Sequence, residues 1–177
     1  MPFPQLFRNK HRAEAAHALY AAAVDRARSP AFYSDMGVAD SVDGRFDMVA
    51  LHAFLLMRRL GAGGEAARQV SQALFDLMFA DMDRSLREMG VGDLSVGKRI
   101  KQMAQAFYGR IAAYEQALGG QGEGLDEALL RNLYRGEDPG PERLARMAAY
   151  VKAADAALQA QNVDDVAAGR VALAQVG

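Results

Sequence analysis

The chain has 177 residues, 51% hydrophobic and 24% charged, with 21 Lys and Arg set against 22 Asp and Glu. That length suits one domain with its own core, and the charge balance argues against a dedicated nucleic-acid binder, whose domains are strongly basic. The absence of cysteine removes disulfides, Cys-ligated zinc, iron–sulfur clusters and thiol nucleophiles together.

Threonine is absent, and two Ile and 12 Val stand against 35 Ala and 18 Leu. β-branched residues favour sheets and Ala and Leu favour helices, so the composition predicts an all-α protein. The opening residues Met1 to Gln5 lack the apolar run of a signal peptide. The most hydrophobic uncharged stretch, Met48 to Met57, is too short to span a bilayer, which takes about 20 apolar residues. The expected location is therefore cytoplasmic. Phe3, Leu6 and Phe7 beside Arg8, Lys10 and Arg12 have the mixture of an amphipathic surface anchor, which would add peripheral contact with the inner face of the membrane. The plainer reading is a frayed start that tucks its Phe residues onto the core. Residues 1–30 carry five basic and two acidic groups.

A first helix is expected from Lys10 to Arg28, stopped by Ser29-Pro30, because the residue before proline avoids the α region. A polar connection with Asp35, Gly37, Asp40, Asp43 and Gly44 follows. A second helix, Arg45 to Leu60, is apolar round nearly its whole circumference, the mark of a central helix. The third, Glu65 to Met89, carries the stripe Phe75, Phe79, Met82, Leu86 and Met89. Gly90-Val91-Gly92 breaks the chain, and a fourth helix starts at Asp93 or Ser95 with the stripe Ile100, Met103, Phe107, Ile111, Tyr114 and Leu118. The short turn between these two long helices predicts an antiparallel hairpin. Further helices are expected over Leu125–Arg135, from Pro141 to Gln161, and over Asp164–Val176. The result is a single-domain bundle of six to seven helices with a long central antiparallel hairpin.

Reactive motifs are scarce. Gly92 to Lys98 matches the first seven positions of a phosphate-binding P-loop, but Arg99 stands where the magnesium-binding Ser or Thr is needed and no strand precedes it. His11, His17 and His52 form no metal-ligand spacing, and His52, on the most apolar helix, reads as a satisfied core histidine. The six serines fit no hydrolase motif, and the Asp76–Glu88 segment lacks the Glu-x-x-His pairs of di-metal bundles. No cofactor, metal or catalytic residue is expected. Asp81 lies at the edge of an apolar arc, and its placement in the hairpin predicts an ion pair with Lys101 or a neighbouring base. Asn132, among leucines, predicts an amide bonded to a loop or a helix end, and Gly109, inside a helix, predicts close approach of another helix or a partner. Met48, Met57, Met78, Met82, Met89, Met103 and Met147 join the apolar faces and together suggest a hydrophobic groove between the third and fourth helices.

Five segments carry a resemblance: Leu51 to Leu56, Leu74 to Asp83, Leu86 to Asp93, Ala106 to Arg110, and Arg131 to Tyr134. Together they resemble the ubiquinol–cytochrome c chaperone family, in its bacterial type, with residues 45–135 as the family core, 1–44 as an N-terminal helix and connection, and 136–177 as C-terminal helices. The resemblance implies a non-catalytic assembly factor that holds a membrane-protein client, cytochrome b, and works with a small partner protein and the ribosome. The polar positions Asp81, Asp83, Arg87, Asp93, Lys98, Tyr108 and Arg110 become candidate partner contacts, and Asn132 and Gly109 candidate structural positions. Two other functions stay open on the residues: an enzyme with a pocket near Lys98, Arg99 and Tyr108, or a ribosome-associated factor using the basic N-terminal segment.

Overall fold

The most apolar stretch of the sequence forms the axis of the molecule. In the computed structural model, which describes residues 3–177 with side chains from Gln5 onward, this axis is α3, Val42–Gly61. Every residue from Phe46 to Leu56 except Val49 is buried. The Ser41 hydroxyl caps the helix by accepting the Gly44 N–H at 3.1 Å, and Gly44 is required because a Cβ there would stand 1.9 Å from the Ala39 carbonyl oxygen.

Seven further helices surround it among the described residues: α1 Phe3–Ala27, α2 Ala31–Ser34, α4 Glu65–Glu88, α5 Asp93–Leu118, α6 Leu125–Asn132, α7 Pro141–Gln159 and α8 Val163–Ala167. The main core gathers Leu19, Phe32, Leu51, Leu55, Leu56, Leu74, Leu129, Met147 and Val151 from five of these elements and α3. Phe46, Ala50 and Ala53, which share one face of α3, close a second cluster with Met78 and Phe79 of α4 and Phe107 of α5. The expected hairpin is α4 and α5. Gly90 ends α4 at φ 86°, with the Val91 N–H on the Leu86 carbonyl and the Gly90 N–H on that of Arg87, a Schellman closure.

Local differences from the sequence reading have identifiable causes. α1 starts earlier than Lys10. Ser29-Pro30 ends it as expected, but the chain then makes one helical turn, α2, which buries Phe32. α6 stops at Asn132, because Leu133 and Tyr134 turn inward and Arg135 adopts φ 55°. The final helix ends at Ala167 instead of Val176. Gly169, at φ 84°, passes close enough to Ala15 of α1 that a Cβ would lie 3.1 Å from the Ala15 Cα, and the remaining residues run non-helically, with Val171, Leu173 and Val176 against the core. The Gln161 amide clamps this run, donating to the Ala172 carbonyl at 2.8 Å and accepting its N–H at 2.9 Å. Gly109 faces open space instead of another helix. Asn132 is half-buried, and its amide donates to the Ala128 carbonyl of its own helix at 2.8 Å instead of to a loop. No described helix is long and apolar enough to cross a membrane.

His52 is buried to 1% exposure. Nδ1 lies 2.8 Å from the Met48 carbonyl, which can only accept, so Nδ1 carries the proton and Nε2 accepts the Tyr150 hydroxyl at 2.8 Å. Burial pushes the imidazole down to about 4, the Met48 bond opposing and the Arg26 charge assisting. A histidine whose folded-state pKa is depressed stabilises fully above the unfolded value near 6.5 and loses that contribution as pH falls toward 4. We expect unfolding free energy to drop by on the order of 2 kcal/mol between pH 7 and pH 5 from this residue. Urea titrations at both pH values should show that increment in the wild type and not in His52→Gln.

Candidate functional site

The site is built at the end of the bundle where α3 begins, α4 ends and the first half of α5 passes. Three phenylalanines stack beneath it: the Phe75 ring lies 4.7 Å from Phe79 and 5.7 Å from Phe107, and Phe46 meets Phe79 at 6.4 Å. On this base sits a groove of about 590 Å³. Its floor is Phe46, Met82, Leu86, Met89, Met103 and Ala106. Of the seven methionines that the sequence singled out, Met82, Met89 and Met103 line it. Met78 is buried, while Met82 and Met103 are half-buried and Met89 is exposed.

The groove has a cationic wall of Arg99, Arg110 and Arg135. Its origin is Asp47, a carboxylate buried to 3% exposure one residue beyond Phe46. Arg110 of α5 donates Nη1 to Asp47, and Arg135 donates Nε to it at 2.8 Å and Nη2 at 3.2 Å. Arg135 also reaches Asp43 at 3.5 Å. The Asp47 bond raises the Arg135 pKa against partial burial, so this guanidinium stays charged. Arg135 holds a left-handed backbone, which costs a non-glycine residue about 1–2 kcal/mol and persists because the ion pair fixes the side chain.

A second groove of about 950 Å³ lies between α1, α2, α3 and α4. It shares the ridge Val42, Phe46, Met82 and Met89 with the first. Asp81 lines it. The expected pairing with Lys101 is replaced by a 2.6 Å bond from the Tyr20 hydroxyl of α1 and a 2.5 Å bond from Arg84 one turn on. Burial opposes ionisation of Asp81, but the Tyr20 and Arg84 bonds outweigh it and hold the carboxyl below its usual range. Burial, and then the bond to Asp81, pushes the Tyr20 phenol upward.

The other candidate residues fall elsewhere. Asp83 accepts from Arg87 Nε at 2.8 Å, and Arg87 reaches on to Asp93, so these three form an ion-pair chain across the hairpin turn. Beside that turn Leu94 is 96% exposed. Lys98 is exposed, lines neither groove and makes no ion pair among the described residues. Tyr108 is exposed on α5, its ring 5.5 Å from that of Phe75. Lys98 and Tyr108 therefore do not converge on a pocket with Arg99. The P-loop-like segment is no loop: Gly92 precedes α5 directly and Asp93 to Arg99 are helical. No cluster of potential metal ligands occurs among the described residues. Sequence reasoning missed Asp47 and Arg135. The available signal was one acidic residue inside an all-round apolar helix, which must find a cation or lose its charge.

This is an all-helical protein whose candidate site is an apolar, arginine-walled groove rather than a convergence of reactive groups. The chain belongs to the ubiquinol–cytochrome c chaperone family, whose model matches residues 34–173. The crystal structure of the Cbp3 homolog from Brucella abortus is similar at 35% identity and a TM-score of 0.84, covering 98% of this chain and 97% of that one. Ubiquinol–cytochrome c reductase complex assembly factor 1 of Xenopus laevis is 23% identical over 78% of this chain and 69% of its own length. The Mus musculus protein of the same name is 23% identical over 86% of this chain, which spans only 52% of it.

Removing one partner of a buried ion pair leaves the others uncompensated and costs about 3–5 kcal/mol. Asp47→Asn keeps the shape and should destabilise by about 3 kcal/mol in denaturant titration. At position 135, Arg135→Gly should be about 1 kcal/mol more stable than Arg135→Ala, since both lose the pair and only glycine relieves the backbone.

Proposed function

We propose that this chain is an assembly factor for ubiquinol–cytochrome c reductase, and that it acts by holding an apolar segment of cytochrome b until that client is built into the complex. Family membership supports the class of activity. The groove supports the mode. Its floor of partly exposed methionines around buried Leu86, on a rigid phenylalanine base, is suited to apolar side chains of varied shape, since methionine repacks without strain. Holding needs buried apolar contact around an anchor cluster and no covalent chemistry. The arginine wall orients the client by pairing with acidic or carbonyl groups at its edge. Asp83, Arg87 and Asp93 at the hairpin turn, with Asp81, Lys98, Tyr108 and Arg110, are the polar contacts through which the client or a small partner protein is aligned.

The observation that carries the reading is the exposure of Met82, Met89 and Met103 on one continuous surface, when the rest of the stripe to which Met82 and Met89 belong is packed inside. A photo-crosslinking residue at Met103 should give an adduct with cytochrome b in a host that makes the reductase. Met82→Glu together with Met103→Glu should reduce that association at least about tenfold, since a carboxylate would have to be desolvated on contact. Circular dichroism should report an unchanged helix content. Adducts without cytochrome b, with normal reductase levels in a deletion strain, would overturn the proposal.

A further inference from the structure

The family match begins at residue 34, so α1 lies outside it, and the start of α1 lines neither groove. Every described side chain from Gln5 to His11 is exposed, and the first to enter the core is Ala15. Leu6 and Phe7, two adjacent large apolar residues, belong to neither core cluster and are 65% and 60% exposed. A free helix end of this length is marginal in water and needs a surface to hold it.

We propose that the first three turns of α1 seat the protein on an anionic lipid surface. The order of residues along the helix axis is apolar first and basic next. Phe7 precedes Lys10 to Arg12 by about 5–8 Å along the axis at 1.5 Å per residue, so a helix that enters end-on places Phe7 deeper than these cations. Leu6 and Phe7 enter the acyl boundary, while Arg8, Lys10 and Arg12 sit level with the phosphates. Lys10 and His11 share Glu14 at 3.8 and 3.5 Å, but both remain open to solvent, so the pairing is weak and gives way to a phosphate. The local charge fits the same orientation. Residues 5–13 carry Arg8, Lys10 and Arg12 and no acidic group, so an anionic surface attracts this end of α1. A second copy of the chain fits less well, because it would bring two sets of Arg8, Lys10 and Arg12 together. A nucleic acid would use the cations and leave Leu6 exposed.

The test uses the full chain and co-sedimentation with phosphatidylcholine vesicles, with and without phosphatidylglycerol. Binding is expected to the phosphatidylglycerol-containing vesicles and to weaken as salt is raised. Arg8→Ala and Lys10→Ala should each weaken it about fivefold. Leu6→Ser with Phe7→Ser should abolish it while leaving the thermal transition unchanged, since neither side chain touches the core. Equal binding to both vesicle types, or binding indifferent to the Leu6 and Phe7 changes, would overturn the proposal. So would self-association or ribosome co-sedimentation that those changes remove without any vesicle binding. Failure here leaves the crosslinking of cytochrome b at Met103 unaffected, so the two readings fail separately.

Discussion

One helix of this chain has a central stretch with almost no face left for water, and that stretch carries an aspartate paired with two arginines. α3 is buried from Phe46 to Leu56 with Val49 the sole exception, and Asp47 sits inside that stretch. A lone charge in such a place would be costly by several kcal/mol, so the fold must bring cations to it. It brings two, from 63 and 88 positions away in sequence. Arg110 ties α5 to α3. Arg135 ties in the chain after α6 and holds a left-handed backbone to do so. Packing and electrostatics are therefore one problem here. The requirement of a single carboxylate sets where α5 lies along α3 and where the α6–α7 connection turns back. Both guanidiniums then stand at the edge of the groove, so the arginine wall of the site is a by-product of how the core charge is neutralised.

The groove itself follows from what the hairpin leaves uncovered. α4 packs on α1 and α3 through Val70, Leu74 and Met78, and Met82 and Met89 continue the same face where other elements cover it less completely. α1 is held there by the Tyr20–Asp81 bond, and the hairpin turn by the Asp83–Arg87–Asp93 chain. These polar ties are exposed or half-exposed, and each adds little stability. Their value lies in fixing positions, because they hold the two walls apart while the Phe75, Phe79 and Phe107 stack keeps the floor rigid.

Much of the architecture was legible from periodicity. The stripes of α4 and α5 and the glycines between them specify a hairpin, and an all-round apolar α3 specifies a central helix, because burial alone produces those patterns. The buried His52 was legible for the same reason. What failed depended on contacts distant in sequence. The hairpin arithmetic that faced Asp81 with Lys101 could not see Tyr20 arriving from α1. The Ala-rich end looked helical, since propensity says nothing of Gly169 lying against α1 or of the Gln161 clamp on Ala172. Gly109 is open to solvent, so its glycine answers no packing demand in this chain. Of the candidate site, the methionines were visible and their supporting charges were not. Asp47 and Arg135 each look ordinary alone and acquire meaning only as a pair.

The two grooves cannot be treated as separate sites. Val42, Phe46, Met82 and Met89 line both, so a side chain that displaces Met82 or Met89 on one side changes the shape of the other. Phe46 cannot yield in this way, being buried and stacked on Phe79, whereas methionine can change rotamer at little expense. The ridge thus has a fixed base and an adaptable crest. A groove of rigid residues would select one client shape. A groove of methionines on a loose base would lose the register that the Asp47 clamp imposes. In the proposed holding role, adaptable residues on a rigid base, beside arginines whose direction is set from within the core, would let one surface take varied apolar segments in a fixed orientation.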